Sequence, residues 1–211
     1  MKGSTRLRRS PEEARRLILE AAEQLLIGGG VNAVSVRAVA ARMGLTDAAI
    51  AHHFGGRDGL LEALLRHGGR KLRAQIEHVL AAWTTSDADI GALVDALAHL
   101  HESGYAELAL GLHLAGRRDS GSGFLNGVVD SLHERRRAAA KAESRKAPAK
   151  RDTRLAVAAV HQAMFNEALF GESFRRSAGL DSEDAAGRRA MRRWWTTTLC
   201  RALDLPAEVR R

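Results

Sequence analysis

Apolar residues return every three or four positions along most of this chain, and the stretches that carry this period are separated by short runs of Gly, Ser, Thr and Pro. That spacing predicts helices throughout, and no stretch alternates as a strand would. The most informative segment is SVRAVAARMGLTDAAIAHHF, from Ser35 to Phe54. Val36, Val39, Ala40 and Met43 make one stripe of a short helix, with Arg37 and Arg42 on its other side. Ser35 stands at the N-cap, and Gly44 where a helix closes in the left-handed conformation with Leu45 packing back beneath it. Thr46 then caps a second helix from Asp47 to His53. Asp47 lies in the first turn of that helix, where a carboxylate suits the helix dipole. Two short helices joined by a glycine turn predict a helix-turn-helix, the unit that lays its second helix in the major groove of DNA. A plain helical hairpin inside an all-helical core is the competing reading.

The surrounding periodicity supplies what such a unit needs. Ser10-Pro11-Glu12-Glu13 is a helix start with an N-cap, a proline at the first helical position and a capping-box glutamate. Leu17, Ile18, Ala21, Ala22, Leu25 and Leu26 then form the face that would cover the two short helices, and Gly28-Gly29-Gly30 is expected to end it. Arg57-Asp58 opens a longer helix running to Trp83, with Gly68-Gly69 as a weak point and a candidate bend. Its position makes it the connector to the rest of the chain. Further helices are expected over Ile90 to Leu100, Tyr105 to Gly116, from Phe124 into a basic alanine-rich stretch, over Asp152 to Phe174, and over Glu183 to Leu203. Pro148 predicts a frayed helix end and loop around residues 138–151. Neighbouring Trp194 and Trp195 lie about 100° apart on a helix. One can therefore face the core and the other a partner chain, or both can fill one large core.

Composition agrees with an all-α fold of one small and one larger unit: 211 residues, 45% apolar, suffice for a core without disulfides. The single cysteine, Cys200, lies in an apolar helical stretch and reads as a buried thiol. No stretch approaches a membrane span and no secretory leader is recognisable, so a soluble, cytoplasmic protein is expected. The net charge of +8 would suit a polyanion-binding protein, but residues 134–154 hold nine basic and three acidic side chains, which is six of those eight charges. The global charge therefore says little about the helix-turn-helix. Met1 to Ser10, with Lys2, Arg6, Arg8 and Arg9 and no acid, is the better candidate for an arm that touches DNA; a solubilising tail fits it equally. Zinc-protease, CxxC, nucleophile-elbow and phosphate-loop motifs are all missing, so no catalytic residue, metal or cofactor is expected. His99 and His101 diverge on a helix, and His113, His133 and His161 stand alone in sequence.

Taken together, the ILEAAEQLLIGGG helix, the SVRAVAARMGLT unit and the AAIAHHFGGRDGLL segment resemble the TetR family of bacterial transcriptional regulators. The resemblance is dense over about fifty residues, Arg15 to Leu64, and beyond them only the layout matches. It implies a basic arm over 1–10, a three-helix DNA-binding domain over 11–57, and over 58–211 a connector leading into a larger helical domain for effector binding and dimerisation. Carried over by position, it implies that Ser35 and Arg37 touch phosphate or base, that Thr46, Asp47 and Ala48 open the recognition helix and His52 and His53 end it, and that Arg57 grips phosphate. Arg6 and Arg8 would add to this from the arm.

Two positions depart from the family. Ala51 replaces a usual tyrosine, which removes one phosphate bond per subunit, and Asp47 either reads cytosine or serves its own helix. Base readout is thus expected to rest on Arg37, on DNA shape and on the arm. An effector pocket is implied among Trp83, Leu97, Tyr105, Leu112, His113, Phe124, Val128, Met164 and Phe165, whose character favours an apolar or amphipathic molecule. A four-helix dimer interface is implied for the closing helices, with Val160, Met164, Trp194, Trp195 and Leu199 as candidates.

The function this implies is a homodimeric repressor that holds a pseudopalindromic operator in double-stranded DNA until a small effector releases it. The alternative is a dimeric helical protein with a degenerate DNA-binding unit, whose basic segment Arg135 to Arg154 docks an acidic partner.

Overall fold

The structure is a computed structural model that describes residues 10–82, 89–117, 123–180 and 185–205. Among these residues every regular element is helical. Helix α1 (Pro11–Ala33) starts as its capping box predicts, with the Ser10 hydroxyl accepting from the Glu13 N–H at 3.1 Å. It does not stop at the glycines. The backbone leaves helical geometry at Gly29 and Gly30, the latter at φ +68°, and then recovers for a last turn to Ala33. Helices α2 (Val36–Met43) and α3 (Asp47–Phe54) follow, and α4 (Arg57–Ala82) leads away from them.

The remaining chain holds α5 (Ile90–Leu100), a π turn over His101–Tyr105, α6 (Ala106–Leu114), α7 (Asn126–Ala142), α8 (Lys150–Ser177) and α9 (Ala185–Ala202). The basic stretch is more ordered than Pro148 predicts: α7 stays helical to Ala142 and only 143–149 lie between it and α8. Its charge is also partly consumed. Arg136 is buried, donating from Nε to the Leu203 carbonyl and from Nη1 to the Thr153 hydroxyl, both at 3.0 Å, while Lys150 pairs with Asp130 at 2.6 Å and Arg145 with Glu143 at 2.7 Å.

Two apolar clusters form the interior. The first joins Ile18, Leu19, Ala22 and Leu26 of α1 to Val39 and Ala40 of α2, Ile50 and Phe54 of α3, and Leu60, Leu61 and Leu64 of α4. It also takes in Tyr105, Leu108 and Leu112, so the helix-turn-helix shares its core with the π turn and α6. The second combines Leu72 and Ile76 of α4 with α5, α7, α8 and α9. Helix α4 runs through both. Gly68 is no bend. A Cβ there would lie 2.1 Å from Cε1 of Tyr105, so the missing side chain is what lets that ring lie on α4, whereas Gly69 meets nothing within 4 Å. Cys200 is buried in the second cluster, and burial pushes its thiol pKa up.

Candidate nucleic-acid interface

Local hydrogen bonding explains why 35–55 fold as two helices at a fixed angle. The Ser35 hydroxyl accepts from the Ala38 N–H at 3.1 Å and the Thr46 hydroxyl from the Ala49 N–H at 3.2 Å. Between them Gly44 takes φ +64°, its N–H reaching the Ala41 carbonyl at 3.4 Å while the Leu45 N–H reaches that of Ala40 at 2.9 Å. This closes α2 as a glycine C-cap does. The Leu45 side chain does not pack back, being 43% exposed. Gly55, at φ +74°, closes α3 with its N–H on the Ala51 carbonyl.

With Val39, Ala40, Ile50 and Phe54 turned inward, the outer face of the unit consists of Arg37, Ala41, Arg42, Thr46, Asp47, Ala48 and His52. Both cap hydroxyls accept from helix N–H groups, which leaves each O–H proton to donate outward, as a phosphate oxygen requires. Asp47 is exposed in the first turn of α3, where its charge faces the positive end of the helix. The two histidines differ. His52 is exposed, whereas His53 is half-buried with its ring 6.3 Å from that of Phe54.

Two arginines prove to be structural ties. Arg57 donates from Nε to the Val34 carbonyl at 3.1 Å and from Nη2 to the Val31 carbonyl at 3.2 Å. The side chain expected to grip phosphate therefore lies across the end of α1 and joins it to the start of α4. Arg15 was not singled out by the sequence. It donates to the His53 carbonyl, and its guanidinium sits 4.3 Å above the Phe54 ring. It thus satisfies the C-terminal end of α3 from α1 and holds α3 against its cover.

A second polar feature lies where the two clusters meet. Glu23 of α1 is 6% exposed; both its oxygens accept from Lys71 Nζ at 2.8 Å, and Oε1 also accepts from the Tyr105 hydroxyl at 2.8 Å. Burial pushes its pKa up, but the bonds from Lys71 and Tyr105 with the charges of Lys71 and His67 outweigh it, and the net shift is downward. Burial and the Glu23 carboxylate raise the Tyr105 pKa, so the phenol keeps its proton. His67, 3.8 Å from Glu23, is held below its ordinary 6.5 chiefly by burial, which makes Lys71 the cation of this node at neutral pH. The signal was present in the sequence: Glu23 stands four residues after Leu19 and three before Leu26, on the apolar face of α1.

The remaining expected sites are scattered. Arg6, Arg8 and Trp83 lie outside the described residues. Tyr105 and Leu112 belong to the first cluster; Leu97, Val128 and Met164 are buried in the second, and Phe124 packs against it. His113 is exposed. Phe165 is half-buried against His101, and His161, isolated in sequence, stacks on His101 with ring centroids 5.3 Å apart. Of the expected interface residues, Val160, Met164 and Leu199 are at most 2% exposed inside the chain's own core, so they have no free surface for a partner. Trp194 is 56% exposed, with its ring edge-on to Trp195, which packs on the core. The exposed apolar side chains on the closing helices are Leu155, Phe170, Phe174 and Trp194. Glu167 and Arg175 form a buried ion pair in α8, and Gly171 makes room for it, since a Cβ there would fall 2.4 Å from the Glu167 carboxyl carbon.

Among the described residues no helix is long and apolar enough to cross a membrane, and no group of three or more His, Cys, Asp and Glu is placed to hold a metal ion. No curated protein matches the chain significantly in sequence. Solved structures share its fold. BioQ of Mycobacterium smegmatis is 21% identical with a TM-score of 0.51, over 89% of this chain and 93% of that one. A TetR variant of Acinetobacter baumannii AYE, solved in complex with minocycline, is 17% identical with a TM-score of 0.53, over 89% and 92%. A Rhodococcus sp. RHA1 protein of unknown function is 21% identical with a TM-score of 0.51, over 98% and 100%. The family model for bacterial regulatory proteins of the TetR family matches residues 18–64, which span the covering helix, the capped helix pair and the start of α4. Residues 18–64 thus match the TetR-family model for bacterial regulatory proteins, and the described residues share the all-helical fold of these solved structures.

Proposed function

We propose that this regulator is a cytoplasmic homodimeric repressor that binds a pseudopalindromic operator and leaves it when a small effector binds among the helices beyond α4. The observation that carries the DNA-binding half is the outer face of α2 and α3. Ser35 and Thr46 present free O–H protons there, Arg37 and Arg42 supply charge, and Ala48 and His52 are exposed along the recognition helix. This face is poor in base donors, so phosphate contacts and DNA shape carry much of the selectivity, with Arg37 as the main base reader. Arg57 contributes by holding α1 to α4.

Dimerisation is assigned to the outer faces of α8 and α9, where Phe170, Phe174 and Trp194 are exposed. Aromatic side chains are typical centres of such interfaces. In the dimer the two α3 helices would enter major grooves about 34–36 Å apart. The reading that the basic segment docks an acidic partner loses support, because Arg136, Arg145 and Lys150 are engaged within the chain.

Selection of sites from random DNA, followed by gel shifts across salt concentrations, tests the proposal. A recovered inverted repeat, bound with a preference that Arg37→Ala weakens, is expected. Salt-sensitive binding without any preferred site would overturn it.

A further inference from the structure

The five residues His101–Tyr105 join α5 to α6 by a π turn in which Ser103 and Gly104 leave helical geometry. Such turns are frequent at functional sites. The first of the five, His101, is 8% exposed, and neither of its ring nitrogens has a hydrogen-bond partner among the described residues. Buried polar groups are nearly always paired, so two unpaired nitrogens on one ring need an explanation. His161 of α8 stacks on this ring at 5.3 Å and 25°, Phe165 meets it edge-on at 5.3 Å, and Phe124 meets His161 edge-on at 5.5 Å. His161, Phe165 and Phe124 are half-buried, so this ring cluster extends to the surface.

The chemistry of the niche narrows its ligand. No third ligating residue joins the two histidines among the described residues, so a metal site does not fit. Burial and the neighbouring His161 push the His101 pKa down to about 4, and burial lowers that of His161. At neutral pH each ring is uncharged, with one N–H to give and one lone pair to accept. A carboxylate only accepts, so it would leave the ring lone pairs unmatched, whereas a hydroxyl both donates and accepts.

We propose that His101 and His161, walled by Phe124 and Phe165, form the polar end of the effector site, and that its ligand is an uncharged flat aromatic molecule bearing a hydroxyl. This inference rests on the effector-responsive reading above and deepens it. Its connection to the DNA-binding unit is short. At the far end of the same π turn, Tyr105 donates to Glu23 of α1 and lays its ring on Gly68 of α4. Its neighbour Gly104, at φ +89°, packs on Leu26 of α1. A ligand that shifts His101 therefore moves a segment keyed into both α1 and α4.

Calorimetric titration of the full-length protein, without DNA, with para-ethylphenol, para-ethylanisole and para-ethylbenzoate tests the assignment. The phenol is expected to bind about tenfold more tightly than the other two. His101→Phe, which keeps the ring and removes both nitrogens, should erase that preference, and His161→Phe should do the same should the first variant prove unstable. No measurable phenol binding, unchanged phenol affinity in both variants, or preference for the benzoate would overturn it. Operator binding is measured separately on ligand-free protein, so failure of the niche and failure of the repressor reading are distinguishable.

Discussion

Gly68 and Gly69 are neighbours in α4, and replacing each with alanine separates two forces of opposite sign. In a helix interior alanine is favoured over glycine by about 0.5–1 kcal/mol. At Gly69 an added Cβ meets nothing within 4 Å, so Gly69→Ala should gain about that amount. At Gly68 the same carbon would fall 2.1, 2.5 and 2.6 Å from three atoms of the Tyr105 ring. Carbon atoms rest about 3.5–4.0 Å apart, so the ring must retreat by more than an ångström. It is not free to do so, because its hydroxyl is held by Glu23 at 2.8 Å and its neighbour Gly104 sits against Leu26. Overpacking costs about 1–3 kcal/mol and loss of the Tyr105–Glu23 bond about 1–2 more, against which the propensity gain is small. The two variants should differ by about 2–5 kcal/mol. At about 2–4 °C per kcal/mol for a chain of this size, that is a gap in Tm of at least about 4 °C. Circular-dichroism melts and urea titrations at one fixed protein concentration measure it, since the proposed dimerisation would make stability depend on concentration. Should Gly68→Ala melt at or above Gly69→Ala, the packing role assigned to Gly68 is wrong and the pair is only a soft point in the helix.

Other variants probe the remaining contacts. The Glu23 pKa is lowered in the folded chain, so its stabilising contribution is present above its ordinary 4.5 and is lost as pH falls through the lowered value; Glu23→Gln should flatten that acid limb and cost about 1–3 kcal/mol at neutral pH in urea titrations. For His101, between its ordinary 6.5 and about 4 the unfolded chain binds a proton that the folded chain refuses. Stability therefore falls as pH is lowered through that window, and His101→Phe should remove up to about 3 kcal/mol of the loss. Arg57→Ala should lower stability by about 1–2 kcal/mol while leaving the salt dependence of operator binding unchanged; a slope reduced by about one would restore Arg57 to the phosphate contacts. Replacing both Phe174 and Trp194 by serine should yield monomers in sedimentation velocity with helicity retained, and a persisting dimer would place the interface elsewhere.

The parts of the fold legible in the sequence are those governed by neighbours a few residues apart. Ser10, Ser35, Thr46 and Gly44 each act within one helical turn, and each caps or closes a helix where its spacing predicts. The glycines of α1 misled because a short extension after Gly30 lets Val31 and Val34 offer carbonyls to Arg57, a partner more than twenty residues away. Contacts across the fold were harder to read. His101 and His161 are sixty residues apart and meet only because α5 and α8 pack together. Val160, Met164 and Leu199 have the apolar character of an interface and of a core alike, and burial alone separates the two. Glu23 is the exception, since an acid on an apolar stripe marks itself.

The shared first core bears on how the helix-turn-helix unit could be recombined with other chains. Tyr105, Leu108 and Leu112 complete the interior of the DNA-reading head from beyond α4. A head severed after α4 would leave open the surface those side chains cover, and Glu23 would lose its phenol partner. The head is therefore not a portable cassette. A chimera that transplants it onto another sensor must carry the π turn and α6 with it, or supply an aromatic of the same shape opposite Gly68. Drift at Gly68 and at Tyr105 is accordingly coupled, since neither can change size alone.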